Sequence, residues 1–327
     1  MSDISTSIIS AETYEQLWRQ KDSGLNWDCL FVLPFWLETV CRHLGAPGEP
    51  YRVAVWEDGQ VVGAAPLALE GGVARFLGRP SVCDYQDIVV RRGYAGKVVG
   101  ALLEHLAEHG VHRLELQTLH PGASLLKGLE APSLRPALSA MHLEAEDVTF
   151  ETGLPATWEE YLLQLDGKQR HEVRRKMRRL EAAGPVGFDL AANNGRIPQA
   201  AKTFLNLFRL NRQDKMAFMD QTMEAYFRDL IQVLARQELL RLYTMKVSGQ
   251  DAAAVLCFDY QGVRYLYNSG YDERYKALSV GVLCKIFSIR EGIEMGCRHY
   301  DFLKGAEIYK RRIGGKEVGL FSCLLEF

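Results

Sequence analysis

Residues 265–315 read YLYNSGYDERYKALSVGVLCKIFSIREGIEMGCRHYDFLKGAEIYKRRIGG. The apolar, aromatic run from Tyr265 to Tyr271 predicts a strand, with Tyr267 and Tyr271 on one face at i and i+4. A polar loop follows. A helix is expected to start near Ser279 and to stop at Gly296, with Cys297 to Phe302 as a returning strand. The next loop carries Gly305 and Lys310. Strand, loop, helix and strand in this order can hold an anionic group at the helix N-terminus, where the first amides have no partner and the dipole is positive. The same order delivers polar side chains to one edge.

Around this stretch lies a chain of ordinary globular composition. It has 327 residues, 47% hydrophobic and 24% charged, with a formal net charge of -2. That balance gives no reason to expect DNA or an anionic membrane as partner. No apolar run approaches the roughly 20 residues of a transmembrane helix. The first residues, MSDISTSIISAETYEQLWRQ, have neither a basic region nor an apolar core, so no signal peptide is expected and a cytoplasmic protein is. The seven cysteines form no CxxC pair and read as buried, reduced thiols. The eight histidines show no metal spacing such as HExxH, so no metal is expected.

Upstream, residues 1–48 read as helical in patches. YRVAVWEDGQVVGAAPLALEGG flanks Asp58-Gly59 with apolar runs and predicts a hairpin. RFLGRPSVCDYQDIVV reads as strand-like with a polar centre. Val98, Leu102, Leu103 and Leu106 share a helix face, Gly110 ends that helix, and VHRLELQTL alternates as a strand. HLEAEDVTFETGL closes this half. Residues 156–184 predict a helical connector, opened by a capping box of Thr157 and Glu160, interrupted at Asp166-Gly167 and stopped at Gly184-Pro185. Two helices are expected to begin the second half, the later one capped by Asp220. Three antiparallel strands, with turns at Gly249-Gln250 and Gln261-Gly262, lead into the 265–315 stretch, and GLFSCLLEF is a last strand.

The order repeats. EHGVHRLEL (108–116) aligns with EMGCRHYDF (294–302), placing Glu115 opposite Asp301. DGQVVGAAPLAL aligns with SGQDAAAVLCFD. Hairpin, strand, helix and strand thus occur twice at nearly the same spacing, which predicts a duplicated α/β unit. The expected division is residues 1–155, a connector 156–184, and residues 185–327.

Several motifs resemble the GNAT superfamily of acyltransferases, in its tandem branch with FemAB-like and CelD/BioF2-like proteins. They are RHEVRRKMRRLE (170–181), YNSGYD (267–272), SVG (279–281), DFLKGAEIYKRR (301–312) and the Asp-containing DYQD (84–87). The resemblance implies an α/β (α+β) fold of two tandem GNAT-like units, each a mixed, mainly antiparallel sheet flanked by helices. It implies transfer of an acyl group from acyl-CoA to an amine or hydroxyl, as an N-acetyltransferase would. A sugar or amino-acid-type acceptor is implied, with envelope polysaccharide metabolism as a setting. The FemAB-like alternative uses aminoacyl-tRNA and a peptidoglycan precursor. A third reading is a non-catalytic scaffold, because the phosphate loops of both units depart from the Q/R-x-x-G-x-G/A pattern. Those loops are Lys276 to Gly281, with Ser279 for the first glycine, and Arg92 to Gly96. The sequence leaves the oligomeric state open.

Acyl transfer needs a deprotonated amine, a stabilised oxyanion and a protonated leaving thiolate. Ser279, Val280 and Gly281 are the expected pyrophosphate cradle, with Lys276 beside them; Ser279 alternatively serves as a helix cap. Asp301 is a candidate base or acceptor ligand, or else a structural carboxylate paired with Lys304, Lys310 or Arg311. Asp272 is a second catalytic candidate, or else an Asx-turn residue. Tyr309 is placed to protonate a thiolate. Lys304 and Lys310 could bind phosphate or carboxylate, and Tyr267 could line the cleft. Arg170, Arg174 and Arg178 share one helix face, either as a phosphate-binding edge or as a solvated surface, with Val173, Met177 and Leu180 opposite. Asp84, Tyr85 and Asp87 of the first unit complete the expected substrate site.

Overall fold

The computed structural model describes residues 3–131, 138–192, 195–210 and 219–327. The chain divides into two compact units, Met1–Asp147 with Gly319–Phe327, and Val148–Val318. The connector residues 156–184 therefore lie inside the second unit, and the last nine residues go with the first.

The first unit begins with β1 (Ile4–Ile9), α1 (Ala11–Arg19), β2 (Leu25–Asn26) and α2 (Pro34–Leu44). Pro34 sits in the first turn of α2, where its missing amide costs nothing. The predicted hairpin forms as β3 (Glu49–Glu57) and β4 (Gln60–Glu70). Asp58 and Gly59 both take positive φ, at 50° and 75°, as its two-residue turn demands. β5 (Val73–Phe76), β6 (Val89–Arg91), α3 (Ala95–Glu108), β7 (Arg113–Leu119), α4 (Ser124–Leu129) and the start of β8 (Ala140–Gly153) follow. The strand-like stretch RFLGRPSVCDYQDIVV is strand only at its two ends. The amides of Val82 and Cys83 bond to Arg79 O and turn the chain between them.

The second unit carries α5 (Trp158–Gln164), α6 (Gly167–Glu181), β9 (Val186–Ala191), α7 (Ile197–Leu210), α8 (Gln221–Arg236), β10 (Leu240–Val247), β11 (Gln250–Tyr260) and β12 (Val263–Tyr271). Then come α9 (Val280–Glu294), β13 (His299–Lys304), α10 (Ile308–Arg312) and β14 (Lys316–Glu326). The capping box of Thr157 and Glu160 is present, and Asp166 with Gln169 makes another at α6. The hairpin turn before β11 is Ser248-Gly249, one residue earlier than expected. β1 and β9 are strands where helices were expected to begin each half.

The sheets repeat one plan. The first unit orders its strands β1-β3-β4-β5-β7-β14, and the second β8-β13-β12-β11-β10-β9. Every neighbouring pair described within each order is antiparallel except one. In the first unit β5 and β7 run parallel at Val73–Arg75 against Arg113–Glu115. In the second, β12 and β13 run parallel at Val263–Tyr265 against His299–Asp301. Each closing strand is exchanged: β8 follows the first unit but pairs β13, and β14 follows β13 but pairs β7.

Each unit has its own core. Leu102, Leu106, Leu114 and Leu116 centre the first, and Leu266, Leu283, Ile286 and Tyr300 the second. α7 lies directly on β12 at Gly270, where an added Cβ would come within 2.3 Å of Phe208 N and 2.4 Å of Leu207 C. Both obstacles are backbone, so neither can rotate away. Gly270→Ala should therefore destabilise the chain by about 3 kcal/mol, the upper end for overpacking. A urea midpoint within error of wild type would refute this close approach.

Candidate active site

The site is built where β12 and β13 separate. Their pairing stops at Tyr265 and Asp301, yet β12 runs on to Tyr271 and β13 to Lys304. α9 connects the two strands, so its N-terminus follows the end of β12.

β12 carries a bulge. Leu256 of β11 pairs with Asn268 and Cys257 with Leu266, leaving Tyr267 as the extra residue. The extra residue reverses the alternation. Tyr267 faces Phe227 and Phe258, and its hydroxyl meets that of Tyr226 at 3.3 Å. Tyr271 faces α9, its ring filling the space a Cβ on Gly281 would occupy at 2.7 Å. The two tyrosines therefore do not share a face, contrary to the i, i+4 reading, which holds only for an unbroken pleat.

Asp272 follows β12 and caps a 3-10 turn, Glu273–Leu278. It accepts from Arg274 N at 2.9 Å and from the Arg274 guanidinium at 2.8 and 2.6 Å. The guanidinium holds its carboxyl below the usual range. Its lone pairs are thus committed to the turn. Lys276 is exposed in the same turn.

Ser279 occupies the left-handed region, with φ 58°, and α9 begins at Val280. Its hydroxyl makes no capping bond to the helix. It accepts instead from Arg179 Nη2 of α6 at 2.8 Å. Arg179 Nε is buried with no hydrogen-bond partner among the described residues. The first amides of a helix also have no intrahelical acceptor. A guanidinium with an unused donor beside such amides suits an anion such as phosphate.

Lys285 stands one turn into α9. It is 6% exposed, and Nζ donates to Gly281 O at 2.9 Å. The same ammonium lies 4.6 Å from the centre of the Tyr309 ring, a cation–π contact. Lys285 thus brings the 279–281 turn and Tyr309 together. Tyr309 is half-buried, and burial pushes its phenol far above the usual range.

Asp301 is buried, and Oδ1 accepts from Leu303 N at 2.7 Å and from Thr149 Oγ1 at 3.4 Å. Leu303 has φ 58° and Gly305 φ 113°, so the chain turns sharply after Asp301. Lys310, 1% exposed, fills that turn. Its Nζ donates to Leu303 O, Lys304 O and Gly305 O at 2.8, 2.8 and 2.9 Å, and pairs with Glu307 at 2.9 Å. The ammonium therefore fixes the loop that carries Lys304. On α6, Arg174 and Arg178 are exposed while Val173 and Leu180 are buried.

The remaining expected residues lie in the first unit. Tyr85 packs edge-on against Phe31 and His120. Asp84 precedes it, partly buried. Asp87 accepts from the amides of Ile88, Leu125 and Ser124 at 2.8, 3.0 and 2.7 Å, which ties it to the start of α4. Burial nevertheless pushes its carboxyl up to about 6. The folded chain then binds this proton more tightly than the unfolded chain, whose Asp titrates near about 4. Its contribution to stability is full below about pH 4 and is lost as pH rises through about 6. Glu291, pushed up to about 7, tilts stability the same way. The difference between wild type and Asp87→Asn isolates Asp87. It should change by roughly 2 kcal/mol in urea unfolding between about pH 4.5 and 7. A pH-independent difference would refute it.

Among the described residues, no group of three His, Cys, Asp or Glu is arranged to hold a metal ion, and no helix is long and apolar enough to cross a membrane. Lys285 and Arg179 were not singled out from the sequence. The available signal for Lys285 was a lone lysine in the apolar run VGVLCKIF.

Residues 167–311, within the second unit, match the acetyltransferase (GNAT) domain family. None of the curated proteins matches the chain in sequence. Among solved structures, FemX superposes with a TM-score of 0.63 at 14% identity, covering 97% of this chain and 96% of that one. A tandem GNAT protein from the clavulanic acid biosynthesis pathway gives 0.51 at 14% identity, with 99% and 98% covered. A GNAT-family acetyltransferase from Colwellia psychrerythraea gives 0.51 at 9% identity, with 99% and 100% covered. The chain thus has a tandem-GNAT, FemAB-like fold.

Proposed function

We propose that this tandem-GNAT chain moves an acyl group from acyl-CoA to the amine of a sugar or amino-acid-type acceptor. The observation that carries this reading is the N-terminus of α9, with Arg179 on Ser279 and Lys285 joining Gly281 to Tyr309. In this reading Arg179 and the Val280 and Gly281 amides hold the pyrophosphate of the substrate. Asp301 takes the proton of the attacking amine. The nitrogen bonds to the acyl carbon, the carbon–sulfur bond breaks, and Tyr309 gives its proton to the departing thiolate. Lys310 keeps the Leu303–Gly305 turn in place, so that Lys304 can meet the acceptor. All seven cysteines are free thiols, which suits a cytoplasmic setting. Envelope polysaccharide is a fitting source of the acceptor.

Calorimetric titration with acetyl-CoA tests the reading. Binding is expected, weakened about tenfold in Arg179→Ala through loss of a charge-assisted contact. No heat with acetyl-CoA or with longer acyl-CoAs would count heavily against it.

A second reading rests on the exposed Arg174 and Arg178 and on the likeness to FemX. There the donor is an aminoacyl-tRNA. RNA should then retain the chain at low salt and release it steeply as salt rises, with a shallower slope in Arg174→Ala.

A further inference from the structure

The first unit holds a cavity of about 710 Å³ that the chemistry above does not use. It opens where β5 and β7 separate beyond the Arg75–Glu115 pair, and β8 and β14 also contribute to its wall. Its volume falls in the range of small-ligand sites. None of residues 92–96, the degenerate phosphate loop of this unit, lines it. It is therefore not a second copy of the α9 anion site.

The charges on the wall balance. Arg75 and Arg79 line it together with Glu115 and Glu144, beside Gln86, Gln117, a histidine, His142, and apolar neighbours. A polyanion would call for excess positive charge, and a simple cation for excess negative charge. Arg75 and Glu115 already satisfy each other at 2.6 Å. Arg79 is anchored through Nε to Gly45 O at 2.7 Å, which leaves its terminal nitrogens for a ligand.

Gln86 supplies the directional observation. It is 4% exposed, and its Nε2 donates to Gly78 O at 2.7 Å. That bond sets which way the amide faces. With Nε2 committed to Gly78, Oε1 is the acceptor that this cavity-lining side chain has to offer a ligand. An N–H of a ligand can donate to that oxygen.

We propose that this cavity binds a zwitterionic amine–carboxylate, an amino acid or short peptide. Arg79 takes the carboxylate, and Glu144 and Gln86 Oε1 take the ammonium. If that ligand is also the acceptor, the site deepens the reading above, but its occupancy does not depend on acyl transfer.

The test therefore omits the acyl donor. Saturation-transfer NMR on the full chain uses L-alanyl-L-alanine as probe. Binding is expected, and N-acetyl-L-alanyl-L-alanine and L-alanyl-L-alaninamide should each bind at least about tenfold more weakly. Glu144→Gln should weaken the probe about tenfold without changing the melting temperature, since Glu144 is exposed. Arg79→Gln should do the same; if it melts early, Arg79→Lys with retained folding replaces it. Equal binding of the blocked peptides, wild-type binding by both variants, or no transfer at about 10 mM probe overturns the proposal.

Discussion

Arg264→Met should lower the stability of the chain by about 3–5 kcal/mol, the cost of removing one partner from a buried ion pair. Arg264 is fully buried. Its Nε and Nη2 grip the two oxygens of Asp259 at 2.7 and 2.8 Å. Its Nη1 donates to Tyr243 OH at 2.7 Å, Ser288 O at 2.8 Å and Glu291 Oε2 at 3.0 Å. Methionine restores most of the volume and none of these donors. Asp259 keeps Arg241 at 2.8 Å, so the sharper loss falls on Glu291. Burial already pushes Glu291 up to about 7, and without Arg264 it rises further. Proton uptake then relieves the buried charge, so the penalty should shrink below about pH 6. Urea unfolding of both chains at high and low pH reads this directly. A loss under about 1 kcal/mol at high pH would mean that the cluster does not brace the fold. The backbone of Arg264 also pairs with Tyr300, one rung before the separation of β12 and β13.

Much of this fold was legible in the sequence because the decisive signals are local. Asp58-Gly59 and Gln261-Gly262 form the turns they predict, and Thr157 with Glu160 caps α5. The repeat was legible too: Glu115 and Asp301 are each the third residue of a parallel pair. The exchange of closing strands was not legible. It depends on pairings such as Glu326 with Arg113, and no local pattern encodes those partners. β1 falls in the stretch that reads as helical in patches, and β9 precedes the helices expected to begin the second half; ISTSII and VGFDLA are short and abut helices.

In the site, the order strand, turn, helix and strand was readable, but its supporting cations were not. Lys285 lies in a helix whose other inward residues are almost all apolar, and only the fold places its ammonium over Tyr309. Arg179 is one of several basic residues on α6. The face read from the sequence was that of Arg174 and Arg178, whereas Arg179 sits nearer the buried side and reaches Ser279. The bulge at Tyr267 had no local mark either, since it arises from the register with β11.

Tyr309→Phe should lower kcat for acyl transfer by about a hundredfold while leaving KM for acetyl-CoA within about threefold, the lower end of what a general acid contributes. The substitution removes one hydroxyl and keeps the ring that meets Lys285. Burial raises the phenol far above its usual range, so Tyr309 holds its proton at neutral pH. Such a group can donate to a thiolate but cannot serve as the base at neutral pH. Wild-type kcat should therefore show no loss on the alkaline side from this residue, and the variant should be slow at every pH. The leaving group separates the explanations further. A more acidic thiol, which departs without help, should narrow the gap between Phe and Tyr, and an oxygen ester, whose alkoxide leaves less readily, should widen it. A uniform gap across leaving groups would make Tyr309 a packing residue. An unchanged kcat would move the proton donor to water or to the substrate's own thiol environment. Lys285→Met separates ring placement from acidity: it should lower kcat in the wild-type background and add little once Tyr309 is Phe, because both changes then act on one step.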